Sequence, residues 1–300
     1  MWTIDAAGLR AALPMRAAID ALHEAFAAPG DTVAPLRDHH ETPGGSLLVM
    51  PAWGSGGTGI KLVTVTPGNP AAGLPFVQAV YVLFAPGSQT PEAVIDGTAL
   101  TALRTAAVSG LATRLLARED ARRLVVFGAG VQAEAHIEAM RAVRSIDDVV
   151  IVGRDPARAA ALAERTGART GGADAVREAD IVCTCTTSGT PVVRGSDIAD
   201  GAHVNAIGAY TPATRELDTE AIARARVVVE TREAALAEAG ELCLAIEEGA
   251  IDAGHIVADL GETARGAEVR RAAADLTVFV GVGLAFEDLV VARAAIEAMG

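Results

Sequence analysis

Of the 25 basic residues in this 300-residue chain, Lys61 is the one lysine and the other 24 are arginine. A lysine ammonium can give up its proton when buried, whereas a guanidinium effectively cannot. A chain that uses arginine wherever a positive charge suffices marks its remaining lysine as a candidate for proton chemistry. The alternative is a solitary charge guarding an edge strand against aggregation. Two further cations stand in otherwise neutral surroundings. Arg37 ends Val33-Ala34-Pro35-Leu36-Arg37, and Arg104, in Leu103-Arg104-Thr105-Ala106-Ala107, is the only basic side chain between Ala93 and Ala112. A guanidinium grips a carboxylate through two parallel hydrogen bonds. Two arginines and a lysine in this setting point to a small carboxylate-bearing substrate. The competing reading pairs each arginine with a structural acid such as Asp38 or Asp96.

A second constellation suits binding. Gly128-Ala129-Gly130-Val131-Gln132-Ala133 follows an apolar run at 124–127 and opens an alanine-rich helical stretch. The first glycine permits a tight turn, the second lets backbone amides approach a pyrophosphate, and a small third residue allows close helix–strand packing. Between a strand and a helix, this pattern reads as a dinucleotide site. The ribose is read at the end of the next strand, in Val152-Gly153-Arg154-Asp155-Pro156. An arginine suits a 2′-phosphate and an acid suits a 2′-hydroxyl. Arg154 arrives first and favours NADPH, with NADH still possible, and Asp155 is accounted for as the cap of the helix that Pro156 starts.

The elements that must position these residues fall into two textures. Residues 1–120 predict a helix over 14–27, with Met15, Ile19, Leu22 and Phe26 at helical spacing, and strands at 46–50, 59–65 and 76–84. A long helix follows from about 98 to 118, with a stripe of Leu100, Leu103, Ala107, Leu111 and Leu115. From residue 122, apolar strands at 124–127, 149–152, 181–185, 203–207 and 227–230 alternate with helices, the pattern of a doubly wound parallel sheet. The stretch 276–286, followed by a helix to Met299, could finish the sheet domain or return to the first domain, and the return is favoured. The predicted division is a mixed α+β substrate and dimerisation domain at 1–118 plus about 283–300, and a Rossmann-type dinucleotide domain at 119–282.

Composition sets the class. The chain is 51% hydrophobic and 21% charged, which excludes intrinsic disorder. Its net charge of −13 repels nucleic acid and anionic membranes. Residues 1–112 carry 5 basic and 8 acidic groups against 20 and 30 in the rest, so the first third is the better candidate for interfacial surface. Residues 62–91 carry no charge, but Pro67, Pro70, Pro75, Pro86 and Pro91 oppose a membrane helix there. Asp5, Arg10, Arg16 and Asp20 interrupt any leader, and three cysteines without metal spacing argue against a disulfide framework, so a cytoplasmic protein without a metal is expected. His39 and His40 read as an exposed loop, His136 as an ordinary helical position, and Ser188 lacks a nucleophile-elbow context.

These motifs resemble the ornithine cyclodeaminase/mu-crystallin family. The resemblance rests on Leu103–Ala107, Gly128–Ala133 and His203-Val204-Asn205-Ala206-Ile207-Gly208. It is supported by Leu48-Val49-Met50-Pro51 before Lys61, Arg215-Glu216-Leu217-Asp218, and the stretch from Phe279 to Asp288. It implies a homodimer in which Arg37, Lys61 and Arg104 hold the substrate carboxylate and reacting nitrogen. It further implies that Gly128, Gly130, Val131 and Gln132 form the pyrophosphate loop, and that Arg154, Thr186, Asn205 and Ile207 lie near the adenosine ribose or nicotinamide. Ornithine-cyclising members carry acids at the positions of Leu48 and Tyr210, and without them a second substrate ammonium would be buried unpaired. Tyr210 resembles the cyclic-ketimine reductases, and Val280 and Gly281 replace the family's usual lysine and serine. The resemblance thus implies an NAD(P)H-dependent reductase of cyclic imino acids, with Arg104 and Lys61 catalytic and Tyr210 in the substrate pocket. The alternatives are a cyclodeaminase or alanine-dehydrogenase-like enzyme, and a non-catalytic NADPH-binding protein.

Overall fold

The computed structural model describes residues 1–28 and 30–300. The chain runs β1 (Trp2–Ile4), α1 (Ala6–Ala12), α2 (Met15–Ala27), β2 (Asp38–Thr42), β3 (Gly45–Gly54), β4 (Gly57–Val65), β5 (Val77–Phe84), β6 (Pro91–Asp96) and α3 (Gly97–Leu116). It continues through β7 (Arg123–Phe127), α4 (Val131–Val143), β8 (Asp148–Val152), α5 (Pro156–Thr166), β9 (Arg169–Thr170), β10 (Ile181–Thr184) and β11 (His203–Ala206). The last elements are α6 (Thr219–Arg224), β12 (Arg226–Val229), α7 (Arg232–Glu238), α8 (Gly240–Glu247), β13 (Ile256–Asp259), α9 (Leu260–Ala264), β14 (Thr277–Val280) and α10 (Ala285–Met299).

Two compact units result, Met1–Arg104 with Leu284–Gly300, and Thr105–Gly283. In the first, a six-stranded sheet has the order β1-β6-β5-β4-β3-β2, antiparallel except for β1 beside β6. β4 alternates cleanly, so Lys61, Val63 and Val65 face inward while Leu62 and Thr64 face outward. Met50, Lys61, Tyr81 and Ile95 are paired in one row across four strands. All four are buried, with α10 packed on β3, β4 and β5 and against α1 and α2, and α1 packed on β6. Phe26 and Phe286 meet edge to face at 4.9 Å, joining α2 to α10. Since β4 lies inside the sheet, Lys61 is no edge guard.

The second unit is an all-parallel sheet of order β13-β12-β14-β11-β10-β7-β8-β9. From β7 the chain winds outward to β9 and then returns to β10 on the other flank of β7. The carboxyl ends of β7 and β10 therefore form the switch point at which doubly wound sheets bind ligands.

The structure corrects several expectations. His39 and His40 lie on the exposed strand β2, paired with Leu48 and Leu47, rather than in a loop. The short elements β1, α1, β2, β6 and β13 escaped sequence reading because three to seven residues hold too few periods for a pattern. The long helix has no single stripe, for residues 103–113 are buried continuously. The crossing between units falls inside it, at Arg104/Thr105, rather than beyond its end near residue 118. The reason is polar as well as apolar. Ser109 meets His136 at 2.9 Å, and Thr113 accepts a bond from Asn205 at 2.9 Å, which ties the second half of α3 into the parallel unit.

Arg144 completes that attachment. Its guanidinium donates to the carbonyls of Thr113, Arg114, Ala117 and Arg118 at 2.8–3.1 Å, and Arg270 donates to that of Leu116 at 2.8 Å. Helix ends leave such carbonyls unsatisfied, and cations there also complement the helix dipole. Arg144→Ala is expected to destabilise the protein by about 2–3 kcal/mol, the loss of charge-assisted bonds to buried acceptors. Urea unfolding checks this through a lower midpoint at unchanged slope.

Candidate active site

The inward row of β4 places a cation where water is absent. Lys61 is 1% exposed and its Nζ lies 2.8 Å from Asp288 Oδ1 and 2.7 Å from Oδ2. Arg104, 5% exposed, donates from Nη1 to Glu287 Oε2 at 3.0 Å and lies with Nε 3.2 Å from Asp288 Oδ1. Both acids are fully buried in the first turn of α10, where the helix dipole favours negative charge. The result is a buried quartet of two cations and two anions shared by β4, α3 and α10.

This arrangement tunes the amine. Burial and the neighbouring Arg104 lower the Lys61 pKa from 10.5 to about 8, and Asp288 opposes them. An amine with a pKa near neutral can both hold and release a proton under working conditions. Arg37 is partly buried, and its charge is felt at Lys61, again lowering the pKa. The structure thus brings Lys61 and Arg104 together, with Arg37 in electrostatic reach. Asp38 and Asp96 are not the acids paired with Arg104. Its partners come from a helix some 183 residues away in sequence, and no local signal announced Glu287 or Asp288.

Tyr81 also escaped sequence reading. Its hydroxyl is buried on the same inward row with no hydrogen-bond partner among the described residues, and burial raises its pKa well above 10, with the charge of Asp288 adding to the shift. Gly59 makes room for it, since a Cβ there would stand 1.8 Å from the hydroxyl.

In the parallel unit, Gly128 ends β7 with φ +115°, and a Cβ would meet the Cys185 carbonyl at 2.4 Å. Only glycine fits there. At Gly130 a Cβ would meet nothing within 4 Å, so the space over the turn is open. Gly130 caps α4 with no side-chain bond to the first amides of the helix, Val131 is 61% exposed and Gln132 is partly buried. Open space above the amino end of a helix at the switch point fits a pyrophosphate. Arg154 is exposed just after β8, while the Asp155 carboxylate accepts from Ala157 N at 3.0 Å and Arg158 N at 3.2 Å, capping α5. Thr186, Ile207 and Tyr210 are partly buried in the loops after β10 and β11.

Asn205 is different. It is fully buried on β11, accepts from His203 at 3.3 Å and donates to Thr113 at 2.9 Å. Its side-chain amide is committed to the interior of the sheet. His136 is likewise interior, bonded to Ser109 and the Gln132 carbonyl, with burial lowering its pKa to about 4. Among the described residues no group of three or more potential metal ligands is found, and no helix is long and apolar enough to cross a membrane.

The profile of the ornithine cyclodeaminase/mu-crystallin family matches residues 7–299. The chain belongs to this family. A Delta(1)-pyrroline-2-carboxylate reductase of Bacillus cereus is 37% identical over 276 residues, covering 87% of this chain and 85% of the relative. The solved structure of Thermococcus litoralis Delta(1)-pyrroline-2-carboxylate reductase in complex with NADH and L-proline superposes with a TM-score of 0.95 at 34% identity, covering 99% and 97% of the two chains. An archaeal alanine dehydrogenase dimer with bound NAD superposes at 0.93 and 34% identity, covering 99% and 95%. Leu48 is buried on the inward face of β3, two residues from Met50 in the Lys61 row. A Cβ at Gly281 would stand 3.0 Å from Ile207 and 3.1 Å from Phe279, so a larger residue there would require both side chains to give slightly.

Because Lys61 is the only lysine, 13C-lysine labelling gives one side-chain resonance. It is expected to titrate near pH 8, and at lower pH in Asp288→Asn, where the influence raising it is removed while burial and Arg104 remain. A midpoint near 10.5 in the wild type would contradict the buried quartet.

Proposed function

We propose that this family member is an NAD(P)H-dependent reductase of small cyclic imino acids of the pyrroline-2-carboxylate or piperideine-2-carboxylate type. The observation that carries the reading is the quartet: a buried lysine with a pKa near 8 held against Arg104. Lys61, Arg104 and Arg37 against Glu287 and Asp288 leave one net positive charge, which a single substrate carboxylate would neutralise. Arg104, helped by Arg37, would orient that carboxylate, with its guanidinium plane braced by the two acids. Lys61 Nζ would hold or deliver the proton on the imine nitrogen, making the adjacent carbon a better acceptor. Asp288 keeps the amine charged and aimed. Tyr210 would shape the pocket or donate a hydrogen bond.

The parallel unit would bind the dinucleotide, its pyrophosphate over Gly128, Gly130, Val131 and Gln132, and its nicotinamide near Thr186 and Ile207. When bound, that group supplies the hydride. Exposed Arg154 beside a capping Asp155 favours NADPH, because the acid is already occupied. Buried Leu48 disfavours a diamine such as ornithine, since no acid stands there to pair a second ammonium. A homodimer belongs to the reading. The outward face of the six-stranded sheet presents Trp53, Leu62 and Val80, all more than a third exposed, from strands that carry almost no charge. A cytoplasmic location suits three free cysteines.

NADPH oxidation is expected with five- and six-membered cyclic imino acids and much less with pyruvate plus ammonia. Faster turnover of the latter pair would make this an alanine dehydrogenase, and no turnover of either would favour a binding protein. Lys61→Arg keeps the charge but not the proton chemistry, and should lower kcat by about 100-fold or more with little change in NADPH affinity. Arg154→Ala should weaken NADPH about tenfold or more while leaving NADH nearly unchanged, and equal losses for both would remove Arg154 from phosphate recognition.

A further inference from the structure

Arg215-Glu216-Leu217-Asp218 has no part in the chemistry above, yet Glu216 is completely buried at the carboxyl edge of the parallel sheet. Its two carboxylate oxygens face different loops. Oε1 accepts the Thr186 amide at 2.7 Å, just after β10, and Oε2 accepts the Gly208 amide at 2.6 Å, just after β11. The main chain of Glu216 is tied as well. Its carbonyl accepts from Val192 N at 2.7 Å and Val193 N at 3.2 Å, and its amide donates to Glu241 Oε1 at 3.0 Å.

We infer that Glu216 is a positioning residue for the nicotinamide dinucleotide, a two-pronged anchor fixing the backbone of the loops after β10 and β11 against each other. This rests on the proposed dinucleotide reading of that edge. Two neighbouring parallel strands do not by themselves set the spacing of the loops that leave them. One acceptor-only side chain bonded to an amide from each loop does. The fit is tight on both sides: a Cβ at Gly208 would lie 2.2 Å from the Thr186 carbonyl and 2.5 Å from Glu216 Oε2. The same Oε2 bond closes residues 208–216 into a small loop, and that loop carries Tyr210. Glutamine cannot substitute, because it would turn an NH2 group toward one of two amide donors. Aspartate is one methylene too short to reach both.

The test compares Glu216→Gln and Glu216→Asp with the wild type. The readouts are thermal unfolding, NADPH and NADH binding by fluorescence titration, and steady-state reduction of a cyclic imino acid. We expect cooperative unfolding, dinucleotide affinity weakened about tenfold or more, kcat lowered by a similar factor, and imino-acid KM raised by a clearly smaller factor, through the loop that carries Tyr210. If Glu216→Gln does not fold, Gly208→Ala, which wedges the same loops apart with the carboxylate intact, should give the same cofactor-selective loss. Unchanged dinucleotide binding and kcat in a folded variant would overturn the inference while leaving the reductase reading intact. Equal weakening of cofactor and imino acid together with a large drop in melting temperature would also overturn it, as general loosening. A wild type that binds neither dinucleotide would overturn the reductase reading and the anchor with it.

Discussion

Removing an ion from water costs several kcal/mol even after relaxation, and a buried charge persists only where partners replace the lost hydration. The first unit is organised around that requirement. Lys61 and Arg104 are almost fully buried, and each is matched by a carboxylate that is fully buried. Neither pair could be deleted on one side without stranding the other. Balance of charge also tunes reactivity, for Arg104 and burial push the amine toward neutrality and Asp288 pulls it back. Without Arg104 the amine would hold its proton more tightly, and without Asp288 less tightly.

The quartet dictates how the chain must travel. The acids sit on α10, so the chain must leave the first unit along α3, build the entire parallel sheet, and come back at Leu284. That return is itself fastened. Glu230, buried at the end of β12, accepts the amides of Val282 and Gly283 at 2.9–3.0 Å, immediately before α10 begins. Arg293 then joins α10 to Glu92 and to the Gly56 carbonyl at 2.8 Å, so the helix carrying the acids is held along its length.

The alternating strand–helix half was legible because each of its main strands is a short apolar run bounded by turn residues, and β7, β8, β10, β11 and β12 fall within a residue or so of the expected places. Gly128 and Gly130 were legible because their backbone demands have few other solutions. The single lysine was legible by its rarity. What escaped was whatever depends on distant pairing. Nothing near Glu287 distinguishes a buried counter-ion from a solvated first-turn acid. The break inside α3 was hidden for the same reason, since an unbroken helix gives no sign of which half each body claims.

One feature of the quartet bears on how the protein is made. Asp288 follows Lys61 by 227 residues, so at ~5–20 residues per second it leaves the ribosome roughly 10–45 s later. Until then neither cation has both acids of the quartet beside it, and the inward face of the sheet lacks its covering helix. The parallel unit, contiguous in sequence, is complete before then. The order of maturation is therefore inverted relative to synthesis: the nascent amino-terminal sheet must wait, and a chaperone that shelters it would be acting on the part of the polypeptide translated first.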